Sequence, residues 1–224
     1  MGQVIGEILP FAIGIAISPV PIIATILMLL TPNARRNGLA FLGGWAGGLF
    51  VVGAIVLIAA NGADVATSSG PSHAASVLKL ILGFVLLLAA ARQWRGRPKA
   101  GEDAPLPKWM AALDTFTAGK AIGVGALLSG VNPKNLILNI GACTAIAQAG
   151  LATGEQLVAL LVVVVVGSIG IIAPVGVYFA MGDKSTAVLG EWKDWLSVNN
   201  GAVMAVLFIV FGFSLIGKGI AGLS

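Results

Sequence analysis

Six long apolar runs follow one another along the chain, separated by short polar or charged stretches. The runs cover residues 8–34, 38–61, 75–91, 121–154, 156–181 and 201–216. A helix needs about 20 apolar residues to cross a hydrocarbon layer of about 30 Å. The pattern therefore predicts an all-α integral membrane protein with six transmembrane helices.

Proline motifs interrupt the first and the fourth of these runs. The motifs are Ser18-Pro19-Val20-Pro21 and Asn132-Pro133. In both, a good N-cap residue precedes a proline at the first helical position, which is the pairing that starts helices. The fourth run is also too long for one straight span at about 1.5 Å per residue. We therefore expect a broken first helix in each half of the chain.

A polar middle segment divides the six spans into two groups of three. We predict a first three-helix repeat over residues 1–95, a cytoplasmic linker over residues 96–120 and a second three-helix repeat over residues 121–224. Because each repeat has an odd number of spans, the two repeats are expected to be inverted. Broken helices at corresponding positions are typical of inverted-repeat transporters, whose binding site lies between the halves.

Two segments outside the spans are expected to form amphipathic helices on the membrane surface, since their apolar residues share one helical face. In the linker these residues are Leu106, Trp109, Met110, Leu113 and Phe116. Before the last span they are Val188, Leu189, Trp192, Trp195 and Leu196.

Small residues mark the expected close approaches between spans. The second run carries two small-xxx-small pairs, Gly43 with Gly47 and Gly44 with Gly48. Such pairs are common at packed helix interfaces in lipid, either within one protomer or between two. In the fifth run the expected points of kinking or close packing are Gly167, Gly170 and Pro174.

The composition excludes a soluble protein. Of 224 residues, 58% are hydrophobic and 10% are charged, and the mean hydropathy is +0.99. A soluble domain carries about 25% charged residues. The same composition excludes intrinsic disorder and a nucleic-acid-binding module, despite a net charge of +4. Lys and Arg have another use in a membrane protein, where they fix its orientation.

The positions of the cations predict that orientation. If six spans alternate in direction, ten of the 13 Lys and Arg residues fall on one side. They are Arg35, Arg36, Arg92, Arg95, Arg97, Lys99, Lys108, Lys120, Lys184 and Lys193. By the positive-inside rule this is the cytoplasmic side. We therefore expect a multi-pass protein of the inner cell membrane with both termini outside.

The sequence offers no pattern for catalysis or metal binding. Cys143 is the single cysteine and His73 the single histidine, which argues against a disulfide, a dithiol carrier and a His/Cys metal site. A nucleotide-binding loop and a nucleophile elbow are also absent from the sequence. We expect a protein that is not an enzyme and that needs no cofactor or metal.

Lys134 is the most informative charged residue, because it lies inside an otherwise uncharged run. An ammonium group at membrane depth is costly unless it is paired or hydrated, and intramembrane charges are functional by default. We interpret Lys134 as a contact for an anionic substrate. The alternative is that its side chain snorkels or caps carbonyl groups of a neighbouring helix.

The second helix break is the expected anion site. Pro19 and Pro21 lack N–H groups, whereas the second break keeps backbone amides at the positive end of a helix. The predicted substrate-binding residues are Lys134, Asn132, Asn135, Asn139, Ser18 and Thr25, and the helix-break residues are Pro19, Pro21 and Pro133. For each polar side chain by itself, the alternative is an interhelical hydrogen bond.

The chain resembles the lysine-exporter (LysE-type) superfamily of small secondary exporters. The resemblance is carried by the Pro-x-Pro break in the first span and by Asn132-Pro133-Lys134 at the start of the second half. Val20 stands where those relatives usually have Gly. The segments FAIGIAISPVPIIATILML, TPNARRNGLAFLGGW and GVNPKNLILN are most similar to the GAP branch, the glycolipid-addressing or Sap-like proteins. That resemblance implies export or surface delivery of peptidoglycolipids or other cell-envelope lipids.

Three functions follow as hypotheses. The first is a transporter that moves an anionic, amphipathic envelope lipid across the inner membrane. The second is an exporter of a small solute, such as an amino acid or ion. The third is a non-transporting accessory subunit of a lipid-export complex. Membrane lipids are the expected partners, and a homodimer is expected because one small bundle offers little wall to enclose a path.

Overall fold

The computed structural model describes residues 1–64, 73–97, 110, 113 and 115–223. These residues form nine α-helices, short turns and 3₁₀ segments, and no β-strand. The helices are α1 Gly2–Ala16, α2 Pro19–Leu29, α3 Ala34–Asp64, α4 His73–Arg95, α5 Ala118–Gly130, α6 Pro133–Gln148, α7 Thr153–Gly167, α8 Ile169–Met181 and α9 Ser185–Ala221. The prediction of an all-α protein is confirmed.

The helices have the length and apolarity of a membrane protein. Within the described residues, Ala34–Asn61 and Ile169–Ala221 are long and apolar enough to cross a membrane. Two bent helix pairs raise the number of candidate spans to four if each pair counts as one span. The six spans and their arrangement in inverted repeats stay predictions.

Both predicted helix breaks are confirmed. Helices α1 and α2 meet at an angle of 52°, and α5 and α6 meet at 63°. Each second helix begins at a proline, Pro19 in α2 and Pro133 in α6. Proline lacks the N–H that would continue the preceding helix and its ring clashes with the carbonyl one turn back, so each helix ends and restarts in a new direction.

The chain forms two compact units. The first comprises Met1–Val65 and Leu106–Asp194, and the second comprises Ala66–Pro105 and Trp195–Ser224. The first unit contains both helix breaks. The repeat boundaries at residues 95 and 121 stay predictions.

Glycines allow α3 and α5 to pack closely in the first unit. A methyl group added at Gly44 would overlap the backbone of Ile122, and one added at Gly125 would overlap the carbonyl oxygen of Phe41. Gly48 lies equally close to Ser129. Helix α1 packs against α6 and α7 in the same unit. The predicted close packing of Gly44 and Gly48 is therefore found within one protomer.

In the second unit, glycines perform the same function for α4 and α9. A Cβ atom at Gly83 would lie 2.8 Å from the carbonyl oxygen of Gly212, and one at Gly212 would lie 3.1 Å from that of Gly83. Facing glycines bring two helix backbones together, as is common in membranes.

The two predicted surface helices have different outcomes. The linker helix falls mostly outside the described residues, although Met110 and Leu113 are described and buried. The second prediction, a separate helix over residues 188–196, is wrong, because this segment is continuous with the last helix as α9. Asn199, Asn200 and Gly201 are weak helix formers. However, Gly201 packs against the carbonyl of Gln93, and this contact favours an unbroken helix.

Candidate functional site

The first helix break leaves backbone carbonyls without their usual partners. In a continuous helix the N–H groups of residues 19 and 21 would bond the carbonyls of Ile15 and Ile17. Pro19 and Pro21 have no N–H. The Ser18 hydroxyl donates to the Ile15 carbonyl at 2.8 Å, and the Lys134 ammonium donates to the Ile17 carbonyl at 3.1 Å. Side chains thus satisfy the two carbonyls that the prolines release.

Ser18 is the N-cap residue of α2 by position but not by bonding. Its side chain makes no cap hydrogen bond. An N-cap hydroxyl normally accepts from the second or third N–H of the helix, and in α2 the third residue is Pro21. This arrangement leaves the Ser18 oxygen available to other helices.

The second break is capped by its own side chains. The Asn132 Oδ1 atom accepts from the backbone N–H of Lys134 at 3.1 Å. The N–H of Asn132 bonds the Leu127 carbonyl rather than that of Leu128. The Asn135 Nδ2 atom donates to the freed Leu128 carbonyl at 2.9 Å. Asn135 therefore ties the start of α6 to the end of α5.

Side chains also join the two breaks to each other. The Lys134 Nζ atom donates to the Ser18 Oγ atom at 2.7 Å, in addition to its bond with the Ile17 carbonyl. The Ser18 Oγ atom lies 3.0 Å from the Asn135 Oδ1 atom. We call these three residues, Ser18, Lys134 and Asn135, the break cluster. Ser18 and Asn135 are buried, while Lys134 is half-buried.

The break cluster carries an uncompensated positive charge. Among the described residues, an ion pair joins Lys193 to Asp194, and no carboxylate oxygen lies within 4.0 Å of the Lys134 ammonium. The carbonyl end of α1 offers only a partial negative charge, and the start of α6 adds a partial positive one. An ammonium group has three N–H donors, and two are used here. The third is available to an anion.

The predicted site residues separate into two groups. Ser18, Asn132, Lys134 and Asn135 come together at the breaks, as described above. Asn139 is buried one turn further along α6, where its Nδ2 atom donates to the Leu49 carbonyl of α3 at 2.9 Å. The Thr25 hydroxyl donates to the Pro21 carbonyl in its own helix at 2.9 Å, which is the bonding expected of a structural residue.

One expectation about the second break is wrong. The backbone amide of Lys134 is not free for an anion, because Asn132 caps it. A capping asparagine satisfies one of the orphan donors of a helix start. The Lys134 side chain, rather than its amide, is the group that offers a donor.

Trp45 has a position that the sequence did not indicate. The residue is 1% exposed, and its Nε1 atom donates to the Gly167 carbonyl at 3.3 Å. That carbonyl is free because the N–H of Ile171 bonds Ser168 instead. Next to it, a Cβ atom at Gly170 would overlap the carbonyl of Ala16. The α7–α8 junction therefore lies against the first break, which explains the predicted close packing at Gly167 and Gly170.

An apolar groove runs between α3 and α5 and ends near the second break. Its volume is about 410 Å³. Gly43 and Gly47 are exposed on its surface, and a Cβ atom at either position would meet nothing within 4 Å. Val131, at the end of α5, also lines the groove. Lys134 follows Val131 by three positions, so their Cα atoms lie within about 11 Å.

Known proteins identify the family of the chain. A family model described as "Sap, sulfolipid-1-addressing protein" matches residues 8–221. The chain belongs to this Sap family. No curated protein and no solved structure gives a match. The match to the Sap family includes both helix breaks and the whole break cluster, and it confirms the Sap-like part of the sequence resemblance.

Proposed function

We propose that the chain is a LysE-type secondary transporter that moves an anionic, amphipathic envelope lipid outward across the inner membrane. Lys134 holds the lipid's charged headgroup, and the groove between α3 and α5 takes an acyl chain. The observation that carries this proposal is the Lys134 ammonium, which joins both helix breaks and has no carboxylate partner among the described residues.

The charge supports an anionic ligand. A lysine at the start of α6 has the same sign as that end of the helix dipole, which is unfavourable for the helix itself. Its two bonds to the first break offset part of this cost, but they supply no full negative charge. An anionic headgroup at the third donor would supply it.

The groove supports an amphipathic ligand rather than a small solute. Its exposed lining residues are apolar, and they include Val51, Leu127 and Val131. An ionic solute would gain nothing from this surface, whereas an acyl chain fits it. Because the groove ends within about 11 Å of Lys134, one lipid molecule is able to contact both.

The bent helix pairs support a transporter. Broken helices at corresponding positions in two halves are a pointer to the binding site of inverted-repeat transporters. In this chain the two breaks contact each other through the break cluster. We propose six spans in two inverted repeats and a non-enzymatic function. We also propose a homodimer, and the mass of the particle in nanodiscs would test this oligomeric state.

Reconstitution in liposomes tests the proposed function. The purified chain should translocate a fluorescent anionic glycolipid between leaflets and should not release trapped amino acids. Release of solutes without lipid movement would favour the small-solute exporter. No flux of either kind, together with loss of lipid export in a deletion strain, would favour an accessory subunit.

Lys134→Met is the variant that tests the headgroup contact. It keeps most of the aliphatic stem and removes the charge, so lipid flux should fall at least about tenfold, since a lost charged hydrogen bond is worth about 1.5–3 kcal/mol. Lys120→Met is the matched control, because Lys120 is an exposed cation at the start of α5. Normal flux in folded Lys134→Met protein would contradict the proposed role of Lys134.

Gly47→Leu tests the acyl-chain groove. The new side chain fills the groove without a clash, since nothing lies within 4 Å of its Cβ position. Lipid flux should fall several-fold while the protein stays folded. Gly123→Leu is the control, because Gly123 is equally open but lies outside the groove. Equal flux in the two variants would exclude the groove from the lipid path, and loss of a dimer in Gly47→Leu would assign it to a second copy.

A further inference from the structure

Helix α4 presents a long exposed stripe that changes from apolar to cationic. Its apolar members are between 45% and 72% exposed. They are Val77, Ile81, Phe84, Val85 and Leu88. Spacings of three and four residues place side chains on one helical face. Arg92 and Arg95 continue this face in the last turn of α4.

The cationic end of the stripe lines a groove. Leu88, Ala91, Arg92, Arg95 and Gly96 enclose a volume of about 560 Å³. All five residues belong to the second unit. The lining of the groove therefore combines apolar side chains with two guanidinium groups.

Within the part of the chain that the structure describes, the two guanidinium groups of this groove have no partner. Among the described residues, the side chains of Arg92 and Arg95 make no ion pair, hydrogen bond or ring contact. Other arginines are engaged. Arg97 lies 3.7 Å from the ring centre of Trp94, and Arg35 lies 5.8 Å from that of Phe179.

The opposite face of the same turn is occupied. Gly201 of α9 packs against Gln93 and Arg97. The face with Arg92 and Arg95 is thus the open one, and the face with Gln93 and Arg97 is the packed one. An arginine fork matches a phosphate group and binds it through two parallel hydrogen bonds.

We propose that this groove is a binding site for the headgroup of an anionic phospholipid. Arg92 and Arg95 hold the phosphate, and an acyl chain follows the stripe along Leu88 and Phe84. The hydrocarbon layer of one leaflet is about 15 Å thick, which corresponds to about ten residues of helix. The part of α4 from Ile81 to Arg92 has about this length. The charge of the two arginines and the length of the apolar stripe both fit one lipid molecule. This site is independent of the lipid transport proposed at Lys134.

Native mass spectrometry of the full-length chain tests this site. The wild-type protein should bind phosphatidylglycerol more tightly than phosphatidylcholine with the same acyl chains. The double variant R92Q/R95Q should lose at least about tenfold in affinity for phosphatidylglycerol at this site, so its preference over phosphatidylcholine should fall. R92K/R95K keeps the charges without the fork geometry and should bind with intermediate affinity.

Matched variants separate a site from general attraction. R36Q/K120Q removes two exposed cations elsewhere and should keep the lipid preference. Equal losses in R36Q/K120Q and R92Q/R95Q would overturn the proposal. So would a wild-type protein that binds both lipids equally, a result that needs no variant to fold. Displacement of the lipid by inorganic phosphate, or a dimer that R92Q/R95Q abolishes, would assign the groove to another occupant.

Discussion

Two prolines create the polar chemistry of the first helix break. Pro19 and Pro21 each remove one N–H, and each removal frees a carbonyl one turn earlier. Carbonyls in an apolar environment need partners, because an unsatisfied polar group there is costly. Ser18 and Lys134 provide those partners. At the scale of single residues, the cluster is thus a direct consequence of the Pro-x-Pro spacing.

Asn135 holds this arrangement together. It is fully buried, and it contacts both Ser18 and the carbonyl of Leu128. Asn135→Ala removes the donor to the Leu128 carbonyl and one contact of Ser18, and it should lower the free energy of unfolding by about 1–2 kcal/mol. Unfolding in mixed micelles would measure the change. Gln3→Ala is the control, since Gln3 is exposed and should change stability by less than about 0.5 kcal/mol.

At the scale of helices, neighbouring glycines have opposite environments. Gly44 faces the backbone of Ile122, whereas Gly43 faces open space. Close approach of α3 and α5 depends on the first of these positions only. The same helix thereby packs within the protomer on one side and lines the apolar groove on the other.

Alanine at these two positions should therefore have opposite effects. Gly44→Ala should destabilise the protein by about 1–3 kcal/mol, because overpacking shifts the backbones of α3 and α5 apart. Gly43→Ala should be neutral or stabilising by up to about 1 kcal/mol, because Ala favours helices more than Gly does. Thermal unfolding in detergent would compare them. A lower melting temperature for Gly43→Ala than for Gly44→Ala would contradict this account of the packing.

At the scale of the whole molecule, the orientation in the membrane follows from the cations. Ten of 13 Lys and Arg residues lie on one side of the predicted spans, and that side is expected to face the cytoplasm. We propose that both termini face outward. The proposal fixes the side from which a lipid enters, since export begins at the cytoplasmic leaflet.

Cysteine labelling tests this orientation. Asn33 and Gly154 are both exposed and lie on opposite sides if the spans alternate. In intact cells, a membrane-impermeant thiol reagent should label Gly154→Cys and should spare Asn33→Cys until the membrane is permeabilised. The wild-type protein is the background control, because Cys143 is buried. The reverse pattern would invert the topology.

Individual residues show how much of the structure could be predicted from the sequence. The helix breaks at Pro19 and Pro133 were predicted because proline acts on its own helix, within one turn. The position of Lys134 at membrane depth stays a prediction, made from the apolar residues around it. The bond of Trp45 to Gly167 was not predicted, because the two residues are 122 positions apart and no local pattern links them. The continuity of α9 depends in the same way on a contact with α4.

The sequence by itself therefore determined an all-helical chain with apolar helices typical of membrane proteins, and its two breaks, since hydropathy and proline chemistry are local. Only the tertiary structure decided what Lys134 contacts. Lys134 lies 116 residues beyond Ser18, and it reaches the first break because the packing of α1 against α6 brings the two breaks together. The bond of Thr25 within its own helix and the cap on the amide of Lys134 are local contacts, over four and two residues. Partners across long sequence separations are set by which helices pack together, and a linear pattern does not encode that choice.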